Sequence, residues 1–222
     1  MRNRGHRSLI GSAAVAIALA IGALTPAGAS AITITLTAAS GGTYEIHLDD
    51  NIGTVNHVGV TTVTPSGGMP DLVIGDVTAG ISDPVPPPCI RVSEFIVRCP
   101  LGMVKQVSGN LGAGNDIWGI GVTQDLESAA IELYKAYLGP GNDVYRGGPA
   151  PNEVHGGPGR DEIQGGPKGD FLYGGAQNDF SVGLGGNDLF ECGKGRHDRF
   201  NDGPGKDHVN VRTCEFRLHT IF

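Results

Sequence analysis

The feature that most constrains the fold is a nine-residue repeat that runs from Leu138 to Asn210. Written in blocks of nine, this stretch reads LGPGNDVYR, GGPAPNEVH, GGPGRDEIQ, GGPKGDFLY, GGAQNDFSV and GLGGNDLFE, then a looser block and DGPGKDHVN. The shared template is G-G-x-G-x-D-x-U-x, where U is a large apolar residue, and the block that begins at Gly156 matches every fixed position. A fixed short period of this kind indicates a repeat architecture.

Each fixed position has a physical role in such a repeat. Glycines at the first, second and fourth places permit positive φ and a close approach of neighbouring backbone. The eighth place can point inward from a short strand, and it carries Tyr145, Val154, Ile163, Leu172, Phe190 and Val209. Two nonapeptides make one coil, so residues eighteen apart stack at about 4.8 Å, the spacing of neighbouring strands. The chain is therefore predicted to be all-β, with a parallel β-solenoid over its repeats.

The sixth place carries an acid in most blocks: Asp143, Asp161, Asp170, Asp179, Asp188 and Asp207. Stacking places Asp143, Asp161 and Asp179 on one edge, and Asn152, Asp170 and Asp188 on the other. Carboxylates about 4.8 Å apart repel by about 1 kcal/mol per pair in water, and by several-fold more in a drier site. A divalent cation between the turns reverses this repulsion, and its binding free energy stabilises the fold. Oxygen ligands on a flexible glycine backbone suit Ca²⁺ better than Mg²⁺, so the predicted cofactor is Ca²⁺.

The repeats extend weakly beyond this core. The run from Leu111 to Trp118 resembles Leu138–Tyr145 and lies in phase with it, which adds Asp116 as a weaker calcium candidate. The insert from Ile120 to Tyr137 is either two degenerate nonapeptides or a loop. Near the end the phase slips by one residue, so Asp198 joins the series if a single residue is inserted in the turn.

The first 31 residues have the three-part pattern of a secretory signal peptide. Arg2, Arg4 and Arg7 precede an apolar run of sixteen residues, and two overlapping A-x-A sites follow at residues 27–31. The alternative is an N-terminal membrane anchor, for which sixteen residues is short. Removal of the segment takes the net charge from −7 to −10, because three arginines and no acids are lost. This acidity argues against nucleic acid or an anionic membrane as a partner, and we expect a secreted protein with no membrane span after cleavage.

The four cysteines agree with an oxidising compartment. They allow three pairings, between which the sequence does not choose. We favour Cys89 with Cys99, which closes a short loop, and Cys192 with Cys214, which ties the last coils to the tail. A metal site is the alternative, but the spacings contain no C-x-x-C.

Residues 32–108 lack the nine-residue repeat and have a different sequence pattern. We expect them to form an all-β region that caps the repeats of residues 109–210. Alternating runs predict strands over five short stretches separated by glycine-rich or acidic turns, with no helix of useful length. They are Ile32–Thr37, Thr43–Leu48, His57–Val63, Asp71–Val77 and Glu94–Val97. The region is either a separate sandwich or wider coils of the same solenoid. Residues 211–222 form an apolar tail that is expected to cover the last coil.

Catalytic motifs are missing from the sequence, which contains neither H-E-x-x-H nor G-x-S-x-G. His155, His197 and His208 are expected in solvated turns between repeats. We therefore expect a non-enzymatic protein.

The nonapeptides resemble those of the RTX, or hemolysin-type calcium-binding repeat, family. The resemblance covers Leu138–Asn210, and the ends of the repeat region are similar to secreted actinobacterial calcium-binding repeat proteins. It implies a right-handed parallel β-roll with Ca²⁺ between successive turns, bound by sixth-place side chains and turn carbonyls. By motif position it assigns the metal to Asp143, Asp161, Asp170, Asp179, Asp188 and Asp207, and less directly to Asp198, Asn152 and Asp116.

Together these observations predict a secreted calcium-binding protein whose repeats fold around Ca²⁺. The alternative hypothesis is an extracellular adhesion or interaction module, in which residues 32–108 bind a cell-surface partner and the calcium-binding repeats act as a spacer.

Overall fold

The computed structural model describes residues 32–50, 53–66, 68–210 and 212–218. The predicted signal peptide at residues 1–31 lies outside this part of the chain, as do Val211, Ile221 and Phe222 of the predicted cap. Among the described residues, no helix has the length and apolarity needed to cross a bilayer.

Strands dominate the N-terminal half of the described chain, where alternating apolar and polar residues favour half-buried strands. They are β1 (Thr33–Ala38), β2 (Tyr44–Asp49), β3 (His57–Val63), β4 (Asp71–Asp76), β5 (Ile90–Ser93), β6 (Ile96–Pro100) and β7 (Val104–Asn110). Single 3₁₀ turns occupy Ser40–Gly42 and Leu101–Met103. The five runs predicted from the sequence correspond to β1, β2, β3, β4 and β6, whereas β5 and β7 were missed.

The repeat region consists of shorter strands. They are β8 (Ile117–Ile120), β9 (Leu133–Tyr137), β10 (Val144–Arg146), β11 (Asn152–Pro158), β12 (Glu162–Gln164), β13 (Phe171–Ala176), β14 (Phe180–Val182), β15 (Leu189–Gly193), β16 (Arg199–Asn201), β17 (His208–Val209) and β18 (Phe216–Arg217). One short helix, α1 (Gln124–Ser128), lies between β8 and β9, and the Thr123 side chain caps it by accepting a hydrogen bond from the Leu126 N–H at 3.2 Å. The insert is therefore neither two nonapeptides nor a plain loop, because it holds this helix and a full strand.

From β7 onward, alternate strands belong to alternate sheets. One sheet has the order β1-β2-β7-β9-β11-β13-β15-β17, and the other has the order β18-β16-β14-β12-β10-β8-β3-β4-β6-β5. From β9 to β15 in the first sheet and from β10 to β14 in the second, neighbouring strands pair in parallel with an offset of eighteen residues, as Tyr145 with Ile163. The offset becomes nineteen between β14 and β16, where Phe180 pairs with Arg199. This confirms the single inserted residue inferred from the phase slip.

Both sheets continue without a break into the N-terminal region. Strand β2 pairs in parallel with β7, and β3 pairs in parallel with β8. Beyond these two strands the pairing becomes antiparallel, between β1 and β2 and along β3-β4-β6-β5. The first parallel strands, β7 and β8, are therefore hydrogen-bonded directly to strands of the N-terminal region.

The core lies between the two sheets and consists of two facing rows of side chains. One row follows the register Gly109, Ala136, Val154, Leu172 and Phe190. The other follows Trp118, Tyr145, Ile163, Ser181 and Phe200. Large residues face small ones across the core.

Trp118 illustrates this matching of large and small residues. Its side chain is fully buried, and a Cβ at Gly109 would lie 2.6 Å from its Cζ3 atom. Farther along, Phe190 and Phe200 pack with ring centroids 5.7 Å apart beside the small Ser181. Burial of such side chains contributes about 1.5–3 kcal/mol each.

Both favoured disulfides are present, Cys89–Cys99 and Cys192–Cys214. The second joins the last coils to the segment that carries β18. The expected apolar cap differs from the prediction, because Phe216 is 48% exposed and its ring stacks on His197 instead of covering the core.

In the turns between strands, a glycine of one coil packs closely against a backbone carbonyl of the preceding coil. A Cβ at Gly159, where φ is +154°, would lie 1.4 Å from the Gly141 carbonyl oxygen of the preceding coil. A Cβ at Gly141 would lie 1.4 Å from the Gly114 carbonyl oxygen in the same way. A side chain at these places would force the coils apart, which explains why the fourth place of the template is glycine.

We expect Gly159→Ala to destabilise the protein by at least about 2 kcal/mol, because it combines backbone strain with a clash against a carbonyl. Gly119→Ala is the matched control, since a Cβ at Gly119 would have no atom within 4 Å. Urea unfolding of both variants in calcium measures the difference. Equal stability of the two variants would show that the turns are not closely stacked.

Candidate metal centre

Acidic side chains at the sixth place of each repeat form two columns along the molecule. The first column, called edge one, contains Asp116, Asp143, Asp161, Asp179 and Asp198, and the second, edge two, contains Asn152, Asp170, Asp188 and Asp207. Every member except Asp207 is buried. The structure thus brings the predicted residues together, each stacked on its neighbour one coil away. Every acid of the two edges lies directly before a strand, whereas Asn152 is the first residue of β11.

A repeated hydrogen bond builds edge one. The backbone N–H of Asp143 donates to Oδ1 of Asp161 at 2.9 Å, and the N–H of Asp161 donates to Oδ1 of Asp179 at 2.9 Å. The same bond joins Asp116 to Asp143 at 2.7 Å and Asp179 to Asp198 at 2.8 Å. Each carboxylate therefore satisfies one backbone donor of the preceding coil through a single oxygen.

The second carboxylate oxygen has no hydrogen-bond partner along the whole of edge one. Oδ2 is buried and unpaired in Asp116, Asp143, Asp161, Asp179 and Asp198, and the same holds for Asp188 on edge two. A buried charged oxygen without a partner is costly. A regular series of them is the arrangement that a bound cation would stabilise.

Burial raises the pKa of these carboxyl groups. The pKa is about 8 for Asp161, about 7 for Asp179 and about 6 for Asp143, in each case chiefly because burial disfavours the charged form. The neighbouring carboxylates Asp179 and Asp143 raise the pKa of Asp161 further, against the lowering effect of its hydrogen bond from the Asp143 N–H. The edge is electrostatically unfavourable when every member is ionised.

Glycine at the first place of the repeat makes room for the unpaired oxygen. A Cβ at Gly156 would lie 2.5 Å from Oδ2 of Asp161, and one at Gly174 would lie 2.6 Å from Oδ2 of Asp179. Within the described part of the chain, no three His, Cys, Asp or Glu side chains converge on a common point. A cation held here would therefore need turn carbonyls besides the carboxylates. Oxygen-only ligands of this kind fit Ca²⁺.

Edge two differs because Asn152 replaces an acid. The Asn152 amide nitrogen donates to the Ala150 carbonyl at 2.9 Å and to Oδ1 of Asp170 at 2.8 Å. Its Oδ1 accepts from the Tyr145 hydroxyl at 2.9 Å and from the Gly148 N–H at 3.0 Å. Both polar atoms of this side chain are satisfied by the protein itself.

Asp170 is satisfied as well. Its Oδ1 accepts from the backbone and side chain of Asn152, and its Oδ2 accepts from the Gly166 N–H at 2.6 Å. The Asn152 amide group thus donates to a turn carbonyl and to a carboxylate, both of which are ligand types that Ca²⁺ takes. On edge two, the need for a cation is concentrated at Asp188 instead of at the Asn152–Asp170 pair.

Two extensions of edge one were missed by sequence reasoning. At the C-terminal end, Oε2 of Glu215 accepts the Asp198 N–H at 2.9 Å, so an acid outside the repeats completes the column. At the N-terminal end, the buried Asn56 donates its N–H to Oδ1 of Asp116 at 2.7 Å. The spacing from Asn56 to Val58 matches the sixth and eighth places of the template, but the glycines that would reveal it are mostly absent.

The amide nitrogen of Asn56 bonds as that of Asn152 does, whereas the buried Oδ1 of Asn56 has no hydrogen-bond partner among the described residues. Its amide nitrogen donates to Oδ2 of Asp50 at 2.8 Å, to the Thr54 carbonyl at 2.8 Å and to the Leu111 carbonyl at 2.9 Å. The uncharged Asn56 amide thus donates hydrogen bonds to one carboxylate and two carbonyls at the start of edge one.

Two of the three histidines are placed differently from the prediction, whereas His197 lies in an exposed turn as expected. His155 lies in strand β11, where its ring stacks between those of Tyr137 and Tyr173 at centroid distances of 4.6 and 4.5 Å, and His208 lies in β17. His155 and His208 therefore lie in strands, and not in the turns that the positions of the glycines in the sequence had indicated.

Stacked parallel strands with an acidic residue before each strand define a protein built from cation-binding repeats. A family model described as the RTX calcium-binding nonapeptide repeat, in four copies, matches residues 137–167 and 155–190. Residues 137–190 thus carry repeats of the RTX calcium-binding type. No curated protein and no solved structure matches the chain. The repeats imply Ca²⁺ as the bound ion.

We expect Asp161→Asn and Asp170→Asn to behave differently, although both remove one buried charge. Above pH 8, where Asp161 is ionised, Asp161→Asn should raise stability in chelator by about 1 kcal/mol, since it removes repulsion along edge one, and should reduce the stabilisation by calcium. Asp170→Asn should leave the calcium-induced gain unchanged, because both oxygens of Asp170 already have partners. Thermal unfolding in calcium and in EGTA measures both effects. An equal loss of the calcium-induced gain would contradict the difference between the edges.

The metal-free protein is expected to lose stability as the pH rises from about 5 to about 8. Folding raises the pKa of the edge carboxyls above the value near 3.9 of an unfolded aspartate, so protonation favours the folded state and its contribution is lost through that window. Stabilisation by calcium should increase over the same window, since the cation binds the ionised form. Melting temperatures in EGTA and in calcium at several pH values test this. Greater stability of the chelated protein at pH 8 than at pH 5 would contradict it.

Proposed function

We propose that the protein is a secreted, non-enzymatic calcium-binding protein whose repeats form a right-handed parallel β-roll that folds when Ca²⁺ binds along its edges. Asp143, Asp161, Asp179, Asp198 and Asp188 are the principal ligands, with Asp116 and Asp207 at the ends of the two columns. Turn carbonyls supply the remaining oxygens.

The buried, unpaired Oδ2 atoms carry this proposal. Five occur in successive coils of edge one, and each belongs to a carboxylate whose other oxygen is fixed by a backbone N–H. A divalent cation offsets the burial of these charges, and its binding free energy becomes folding free energy. Calcium at extracellular concentration suffices for sites of modest affinity, about 10⁻⁴–10⁻³ M.

Secretion is supported by the arginine-led apolar segment at residues 1–31 and by the pairing of all four cysteines in disulfides. A protein that folds only after export would meet a high calcium concentration at the stage when it folds.

The non-enzymatic role is supported by the sequence, which lacks the hydrolase and metalloprotease motifs considered above.

The alternative, an adhesion module at residues 32–108 with the repeats as a spacer, has less support. Strands β2 and β3 of that region pair directly with β7 and β8, so the two parts share both sheets. A separate binding module would more often be joined to its spacer by a linker with few contacts across it.

Calcium dependence of folding is the direct test. We expect the mature chain to show strong β-sheet circular dichroism and cooperative melting in millimolar Ca²⁺, and to lose much of both in EGTA. Magnesium at the same concentration is the control, and it should restore less structure because it demands tighter octahedral geometry. Unchanged β content and melting temperature in EGTA would refute the proposed function.

A further inference from the structure

A groove of about 480 Å³ lies on the surface of edge one. Its wall crosses four coils and includes Asn142, Arg160, Glu162, Asn178 and Arg199, while its floor includes the buried Asp161 and Asp179. We propose that this groove binds an oxyanion, namely a carboxylate, sulfate or phosphate group, once calcium occupies the edge beneath it. The inference rests on the proposed calcium binding and extends it to a second ligand.

Two unpaired guanidinium groups supply the charge. Among the described arginines, Arg91, Arg98, Arg146 and Arg217 each form an ion pair with a carboxylate. Arg160 and Arg199 form no such pair within the same part of the chain, although the protein as a whole is acidic. The Arg199 guanidinium lies over the Phe180 ring, 5.4 Å from its centroid, and this contact limits its motion. Guanidinium groups suit the two-pronged binding of oxyanions.

Two asparagines add donors between these cations. Oδ1 of Asn142 accepts the Arg160 N–H at 2.9 Å, and Oδ1 of Asn178 accepts the Arg196 N–H at 3.2 Å. Because these bonds fix which end of each amide is the oxygen, the other end is an NH₂ group that donates. The one exposed carboxylate among the groove's lining residues, Glu162, is paired with Arg146. The other polar groups of the exposed wall are mainly hydrogen-bond donors, which suit an acceptor ligand.

The floor explains why calcium is required. The carboxylates of Asp161 and Asp179 would repel an anion in the groove while they remain uncompensated. A divalent cation between the coils neutralises the two carboxylates of the floor, so that the floor no longer opposes the attraction of an anion by Arg160 and Arg199. Successive coils repeat the donors at about 4.8 Å, so a polymer that carries several oxyanions could bind along the groove.

Sulfate titration of the calcium-saturated mature chain tests the inference. Isothermal titration first measures calcium binding. NMR then follows the Arg160 and Arg199 Nε–Hε and the Asn142 and Asn178 side-chain signals as sodium sulfate replaces sodium chloride at constant ionic strength. We expect saturable shifts at these groups. Arg160→Gln and Arg199→Gln should each weaken sulfate binding about tenfold, the effect of losing one charge-assisted hydrogen bond. Arg212→Gln is the matched control, since Arg212 is exposed and outside the groove.

The outcomes separate the two proposals. Absence of calcium binding overturns the proposed function and the calcium requirement of the groove with it. Calcium binding without sulfate-specific shifts, or with shifts that survive both groove substitutions, overturns the groove inference alone. A sulfated oligosaccharide that binds more tightly than free sulfate, with the same loss in the variants, supports a polymeric ligand. Equal affinity of the two supports the free ion.

Discussion

The hydrogen bond from the backbone N–H of one sixth-place residue to the carboxylate of the next determines the rest of the structure. It satisfies a donor that would otherwise be buried at the end of a turn, and it holds successive coils in register. It also commits one oxygen of each carboxylate to the protein and buries the other. The demand for a cation is therefore a consequence of how the coils are joined, and it is largest where no amide group relieves it.

The two edges show how an amide in place of a carboxylate at the sixth position changes the need for a cation. Asn152 and Asn56 present an NH₂ group to a carboxylate and to turn carbonyls, so the coil closes with neutral hydrogen bonds. No side-chain amide of the described chain donates to Oδ2 of Asp143, Asp161 or Asp179. Some turns of the same repeat are therefore complete within the protein, while others are completed by an ion. The neutral turns occur at the start of edge one and near the middle of the molecule.

Much of this arrangement follows from the sequence because the repeat period is regular. The columns of acids, the inward rows of apolar residues and the inserted residue near residue 195 all depend on counting by eighteen, which requires no knowledge of packing. Helix α1 and strand β9 could not be predicted in this way, since residues 120–137 lack the glycines that mark each turn. Glu215 and Asn56 were missed for a related reason. Each joins edge one through a contact far away in the sequence, and nothing in its local neighbourhood matches the template closely. The hydrogen bonds of Asn152 could not be predicted from the sequence either, because they involve Tyr145, Gly148 and Asp170, which only the fold brings together.

The reversal of strand direction at the N-terminal end has a consequence for self-association. A stack of identical parallel coils ends in open edges, on which a second molecule can add its own first coil and so begin a fibre. Here the parallel order stops at β2 and β3, and the outer strands β1, β4, β6 and β5 run antiparallel to their neighbours. The two ends of the molecule are therefore different in kind. Within the described strands, the N-terminal end therefore presents no parallel repeat coil on which head-to-tail growth in the register of the repeats could continue.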